Sequence, residues 1–192
     1  MSNCENTTWK IRLATVADAK ELLEIYAPYV SNTAVSFEHE VPTVEEFAYR
    51  IEETLKVYPY LVIEEDGEIR GYTYASRFKA RAAYDWSVET TIYLRQDCKR
   101  KGYGRALYLA LENYLKQQNV LNANACIAYA REDNDHLDNS SLYFHEKMGY
   151  KMVGTFHNSG YKFSQWYDMF WMEKFLGEHK KEATPFIPFS QL

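Results

Sequence analysis

Residues 88–106 read VETTIYLRQDCKRKGYGRA, and the fold turns on them. The stretch from Trp86 to Leu94 reads as a strand. Its two-residue period puts Trp86, Val88, Thr90, Ile92 and Leu94 on one face and Ser87, Glu89, Thr91 and Tyr93 on the other. Lys99, Arg100, Lys101 and Arg105 then gather around Gly102 and Gly104, and Leu107, Leu111, Tyr114 and Leu115 follow at helical spacing. A helix start already carries partial positive charge, so cations are disfavoured there unless an anion joins them. First-turn N–H groups bind phosphate, and glycine lets a ligand approach the backbone. The segment is therefore a candidate anion cradle. It is not a P-loop, which needs G-x-x-x-x-G-K-[ST]. Nor is it the dinucleotide fingerprint G-x-G-x-x-G, because Leu107 stands where the third glycine belongs.

Upstream, Trp9–Ala14 predicts a strand, and Thr15 with Asp18 caps a helix whose apolar face is Ala19, Leu22, Leu23 and Tyr26. Pro28 is expected near its end, with residues 29–42 irregular. Thr43 and Glu46 repeat the capping pattern before a second helix that runs to about Lys56. Tyr60–Glu65 closes on Asp66-Gly67, a hairpin signal, and Glu68–Phe78 is the returning strand. Downstream, Ala123–Tyr129 predicts a strand and Ser140–Met148 a short helix ending at Gly149. Strands are expected at about 150–157 and 165–175. The tail from Gly177 has little periodicity and is expected to be loosely ordered. The order β-α-α-β-β-β-α-β-α-β-β fits a mixed sheet flanked by helices.

The chain has 192 residues, the size of one domain. Twenty-two Lys+Arg against 27 Asp+Glu give a net charge of −5, which argues against nucleic acid as a partner. No apolar run has the length of a membrane span, and MSNCENTTWK lacks the core of a signal peptide. Cys4, Cys98 and Cys126 are odd in number and far apart, so free thiols in a reducing cytoplasm are expected. Seventeen tyrosines and ten phenylalanines predict a large aromatic core and leave surface for a homo-oligomer. In the loop REDNDHLDNS, 131–140, a calcium reading fails because Asp138 occupies the glycine position. Zinc-ligand spacing is absent there too, and no metal is expected.

A strand followed by [QR]-x-x-G-x-[GA] at a helix start resembles the acetyl-CoA pyrophosphate loop of the GNAT superfamily of N-acetyltransferases. Lys99 here replaces the usual Gln or Arg. KARAAYDWSVETTIYL (79–94), SLYFHEKMGY (141–150) and GYKFSQWYDMFW (160–171) look like the phosphinothricin N-acetyltransferase branch, in the same order along the chain. The resemblance implies an α/β (α+β) domain over residues 1–176, with a central mixed, mostly antiparallel sheet of six to seven strands, and a C-terminal tail over 177–192. It also implies a homodimer and an acetyl-CoA co-substrate. The expected acceptor is the amino group of phosphinothricin or of methionine sulfoximine or sulfone. Another amine (an amino acid, a polyamine or a peptide N-terminus) is the alternative, as is a CoA-binding module without catalysis.

By the same resemblance, Glu89 is the general base, acting directly or through water. His145 stands where many members have a tyrosine that protonates the leaving thiolate; a nearby tyrosine such as Tyr143 is the other candidate. Cofactor contacts are expected from Ile92, Tyr93 and Leu94, with a backbone N–H near Ile92 for the oxyanion. Further contacts are expected from Lys99, Arg100, Lys101, Gly102, Tyr103, Gly104 and Arg105, and from Asn139, which sits one residue off the usual offset. Lys79, Arg81, Tyr84 and Phe37 are the expected acceptor contacts. A protonated amine is no nucleophile, so a base near it is the chemistry the sequence must supply.

Overall fold

The computed structural model describes residues 9–98, 100–132 and 134–192; Cys4 and Lys99 lie outside them. The described residues form β1 (Trp9–Leu13), α1 (Ala19–Asn32), α2 (Val44–Val57), β2 (Tyr60–Glu65), β3 (Glu68–Arg77), β4 (Ser87–Leu94), α3 (Tyr103–Gln117), β5 (Asn122–Tyr129), α4 (Ser140–Lys147), β6 (Lys151–Lys162) and β7 (Gln165–Phe175). The expected element order holds. The sheet runs β1-β2-β3-β4-β5-β7-β6, and every pair is antiparallel except β4 with β5.

Local chemistry accounts for the element ends. Thr15 N–H donates to Asp18 Oδ2 at 2.7 Å, and Arg12 holds the same carboxylate from β1. Glu46 N–H donates to Thr43 Oγ1 at 3.1 Å, capping α2. Asp66 (φ 55°) and Gly67 (φ 81°) both take the left-handed conformation that a two-residue hairpin turn requires. One apolar layer packs α3 and α4 on the sheet through Leu107, Leu111, Leu115 and Leu142. The other packs α1 and α2 through Leu22, Ile25, Phe47 and Ile51.

Three expectations fail. Helix α1 continues through Pro28 to Asn32: Pro28 removes one N–H and crowds the carbonyl four residues back, but Tyr26 and Val30 on either side still bury the apolar stripe. Strand β6 runs to Lys162, well past 157, because two register shifts let it follow β7 to the hairpin end. The tail is docked rather than loose. Ile187 exchanges hydrogen bonds with Gln118, Asn119 Nδ2 donates to Pro185 O, and Trp86 Nε1 donates to Thr184 O. Phe186 packs on Tyr58 and Phe189 on Tyr114. No helix among the described residues is long and apolar enough to cross a membrane.

Candidate active site

Strand β4 pairs with β3 from Val88 to Leu94 but with β5 only from Ser87 to Glu89. Beyond that point the two parallel neighbours diverge. Two buried side chains hold the fork: Thr90 Oγ1 donates to Asn124 O at 3.1 Å, and Asn124 Nδ2 donates to Val88 O at 3.0 Å. Arg95 N–H donates to Arg70 O on the β3 side. Antiparallel alternation then aims the backbone of Tyr93 at β3 and that of Ile92 and Leu94 into the fork. Leu94 O already accepts the Tyr29 hydroxyl at 2.6 Å. A cavity of about 410 Å³ opens at the fork, lined by Phe37, Glu89, Ile92, Cys126 and His145 among others.

Arg100 (φ 66°) and Gly102 (φ 87°) turn the chain through left-handed backbone into α3. The helix begins with Ala106 N–H donating to Gly102 O at 3.1 Å, so the amides of Tyr103, Gly104 and Arg105 precede the helical ladder. Nothing lies within 4 Å of where a Gly102 Cβ would stand, so the backbone conformation, not crowding, demands glycine there. A Cβ on Gly104 would meet the Phe144 ring at 3.1 Å. Arg100, Lys101 and Arg105 are exposed. The Tyr103 side chain is buried instead, its hydroxyl donating to Glu65 Oε2 at 2.5 Å. It anchors the loop from within the core.

Glu89 projects half-buried from the same strand, and burial raises its pKa against the opposing charge of Lys79. Burial and the Glu89 charge push the Cys126 thiol up to about 12. Lys79 lies 5.0 Å from the Phe78 ring centre and 5.7 Å from that of Trp171. Arg81 and Tyr84 are exposed on the β3–β4 connection, outside the cavity lining. Asn139 stands at the N-cap position of α4, and its Nδ2 donates to Ala130 O at 3.1 Å.

His145 is 4% exposed. Its Nδ1 lies 2.7 Å from the Ser141 carbonyl, which can only accept, so the proton sits on Nδ1. Nε2 then accepts the Tyr108 hydroxyl at 2.8 Å. Burial pulls the His145 pKa down to about 4, so the imidazole is neutral near pH 7. Tyr108 was not among the sequence-derived residues. Its position one turn beyond Gly104 was a signal, but a tyrosine at core spacing on a helix reads first as packing.

Lys162 was missed as well. It is buried, and its ammonium donates to the carbonyls of Val30 (2.6 Å), Thr33 (2.9 Å) and Ser36 (2.7 Å). That grip fixes the turn carrying Phe37, whose ring lies so close over Gly160 that a Cβ there would meet it at 2.1 Å.

The chain matches the acetyltransferase (GNAT) domain family over residues 11–171. It is 35% identical to phosphinothricin N-acetyltransferase of Streptomyces viridochromogenes over 184 residues, covering 95% of this chain and 96% of that one. It is 28% identical to the L-methionine sulfoximine/L-methionine sulfone acetyltransferase of Salmonella typhimurium, over 88% and 95% of the two chains. A solved phosphinothricin acetyltransferase from Sinorhizobium meliloti in complex with AcCoA superposes with a TM-score of 0.84 at 31% identity, over 96% of this chain and 98% of that one.

Proposed function

The chain belongs to the GNAT acetyltransferase family, and from that premise we propose that it transfers acetyl from acetyl-CoA to the amino group of a small amino acid. The side chain of that acceptor ends in a tetrahedral, oxygen-bearing head, as in phosphinothricin, methionine sulfoximine and methionine sulfone. One arrangement carries the reading: the β4–β5 fork places Glu89 on the strand that leads into the pre-helical amides of α3. The cations Arg100, Lys101 and Arg105 are comfortable at a helix N-terminus once a diphosphate joins them.

An α-amino group has a pKa of about 8, so much of it arrives protonated. Glu89 takes that proton, directly or through water, and its raised pKa suits the task. The freed nitrogen attacks the thioester carbonyl, and a backbone N–H at Ile92 meets the oxyanion. Collapse breaks the carbon–sulfur bond and expels the CoA thiolate; the Tyr108 hydroxyl, which lines the cavity, turns from His145 to give the sulfur its proton and recovers the second proton of the former amine nitrogen through water. Burial and the Glu89 charge keep the Cys126 thiol protonated, which favours direct transfer to the amine over an acetyl-cysteine. Lys79 meets the acceptor carboxylate, Arg81 and Tyr84 stand at the mouth, and Phe37 forms a wall.

A thiol-release assay with phosphinothricin, methionine sulfone and ordinary amino acids tests the reading. Glu89→Gln is expected to lower kcat by about 10²-fold or more, with acetyl-CoA affinity unchanged by calorimetry. Unaltered turnover removes Glu89 as base, and no heat with acetyl-CoA removes the whole reading.

The protein is also read as a cytoplasmic homodimer. Val153, Phe156, Tyr161 and Trp166 are exposed on edge strand β6 and its neighbour β7, a concentration of apolar surface suited to a second copy. Sedimentation velocity is expected to give twice the 22.6 kDa chain mass; a monomer at micromolar concentration would exclude that assembly.

A further inference from the structure

Beside the fork lies a second cavity, of about 320 Å³, between α2 and the sheet. It meets the first at Tyr26, Glu38 and Tyr93, which line both. Its floor is a row of tyrosines: Tyr60 on β2, Tyr72 and Tyr74 on β3, and Tyr93 on β4. They are cross-strand neighbours, with Tyr60 opposite Tyr74 and Tyr72 opposite Tyr93. Tyr60 stacks on Tyr74 at 4.8 Å between ring centres and on Tyr72 at 5.6 Å. Rings that stand on a sheet and cover one another's faces present their outer, hydroxyl-bearing edges to the layer above. Burial raises the pKa of all four phenols, so each keeps its proton.

The charges around this cavity are already matched. Its one lining cation, Arg50, is held by Glu38 at 2.7 Å and by Glu46 at 2.5 Å. Glu53, also in the lining, pairs with Lys56. An anion entering here would find two carboxylates and no spare cation. The cavity also runs away from Lys79. Glu89 is opposite Ser76, near the Lys79 end of β3, whereas Thr91 and Tyr93 lead along β4 toward Tyr74 and Tyr72.

We propose that this tyrosine-floored cavity is the acceptor's side-chain subsite, and that it selects an uncharged side chain ending in hydrogen-bond acceptors, the class of a sulfone or sulfoximine, over an anionic one. The proposal rests on the acetyltransferase reading above. With its amine at Glu89 and its carboxylate toward Lys79, an amino acid sends its side chain into the cavity. Phenol edges donate to sulfone oxygens, and the rings flank the methylenes. A phosphinate would leave water for a site that offers no free cation, which is costly.

The experiment measures kcat/KM for methionine sulfone, phosphinothricin and alanine with the wild type and with Thr54→Trp, which fills the cavity from partly exposed α2. The wild type is expected to favour methionine sulfone over phosphinothricin by about tenfold, and Thr54→Trp to cut methionine sulfone turnover by about tenfold while alanine changes less than about twofold. Should Thr54→Trp fail to fold, the smaller filling variant Thr54→Leu is expected to act in the same direction. Equal or better turnover of phosphinothricin overturns the proposal. So does an effect of the filling variant that is absent, or equal for methionine sulfone and alanine. No transfer to any of the three acceptors overturns the acetyltransferase reading, and this proposal with it.

Discussion

His145, its Nδ1 proton on Ser141 O and its Nε2 against the Tyr108 hydroxyl, is held neutral because burial strips the water that a charged imidazolium would need. In the unfolded chain His145 titrates near 6.5; in the fold its pKa is about 4. Between those values the unfolded chain binds a proton that the folded chain refuses, so stability falls as pH drops through that window. The whole depression corresponds to about 3 kcal/mol. Urea denaturation of His145→Gln between pH 7 and pH 4 is expected to show an acid loss smaller by about that amount; an unchanged slope would contradict the neutral, buried assignment. Glu89, Gly102 and Gly104 were legible because strand alternation and glycine spacing are local signals. The Tyr108–His145 pair was not. Its members are 37 residues apart, and only the packing of α3 against α4 joins them.

Lys162 belongs to the scale of elements, because it ties the end of β6 to the end of α1. The last carbonyls of a helix lack intrahelical donors and favour a cation. The Lys162 ammonium meets three carbonyls from the helix end and the turn beyond it, and burial lowers its pKa without a carboxylate in contact. Lys162→Met is expected to destabilise the fold by about 2–4 kcal/mol, measured by denaturant unfolding. With Phe37 no longer fixed over Gly160, it is also expected to raise acceptor KM more than acetyl-CoA KM. Equal shifts in both would assign Lys162 to stability alone. The Thr15–Asp18 box caps a 3-10 turn that leads into α1 rather than α1 itself, whereas the hairpin turn at Asp66-Gly67 and the cap of α2 could be read in advance. Helix α1 passing through Pro28 could not, since burial of Val30 and the distant grip of Lys162 sustain it.

At the scale of the whole molecule, the C-terminal segment crosses behind α2 and α3. Gln118 Nε2 donates at once to Val57 O and to Ile187 O of that segment, Ile187 N–H donates back to Gln118 O, and Ser190 donates to Lys56 O. Removing residues 177–192 exposes Tyr58 and Tyr114 and takes a hydrogen-bond partner from Gln118 O, Lys56 O and Trp86 Nε1. The truncated chain is expected to lose about 2 kcal/mol, or about 4–8 °C in melting temperature, with acetyl-CoA affinity unchanged because the segment lies away from the fork. A melting temperature equal to that of the full chain would show that the docked segment adds no stability.

The sequence by itself determined the element order, the mixed sheet, the basic glycine loop at a helix start and a carboxylate on the strand before it. Each of these is written in spacing over a few residues, where periodicity, capping and glycine chemistry act. Tertiary structure alone decided where β4 parts from β5, which tyrosine faces His145, which lysine fixes the Phe37 turn, and that a row of tyrosines floors a second cavity. Those arrangements join residues far apart in the chain, and their energies come from burial and hydrogen bonding between elements, which no local pattern records.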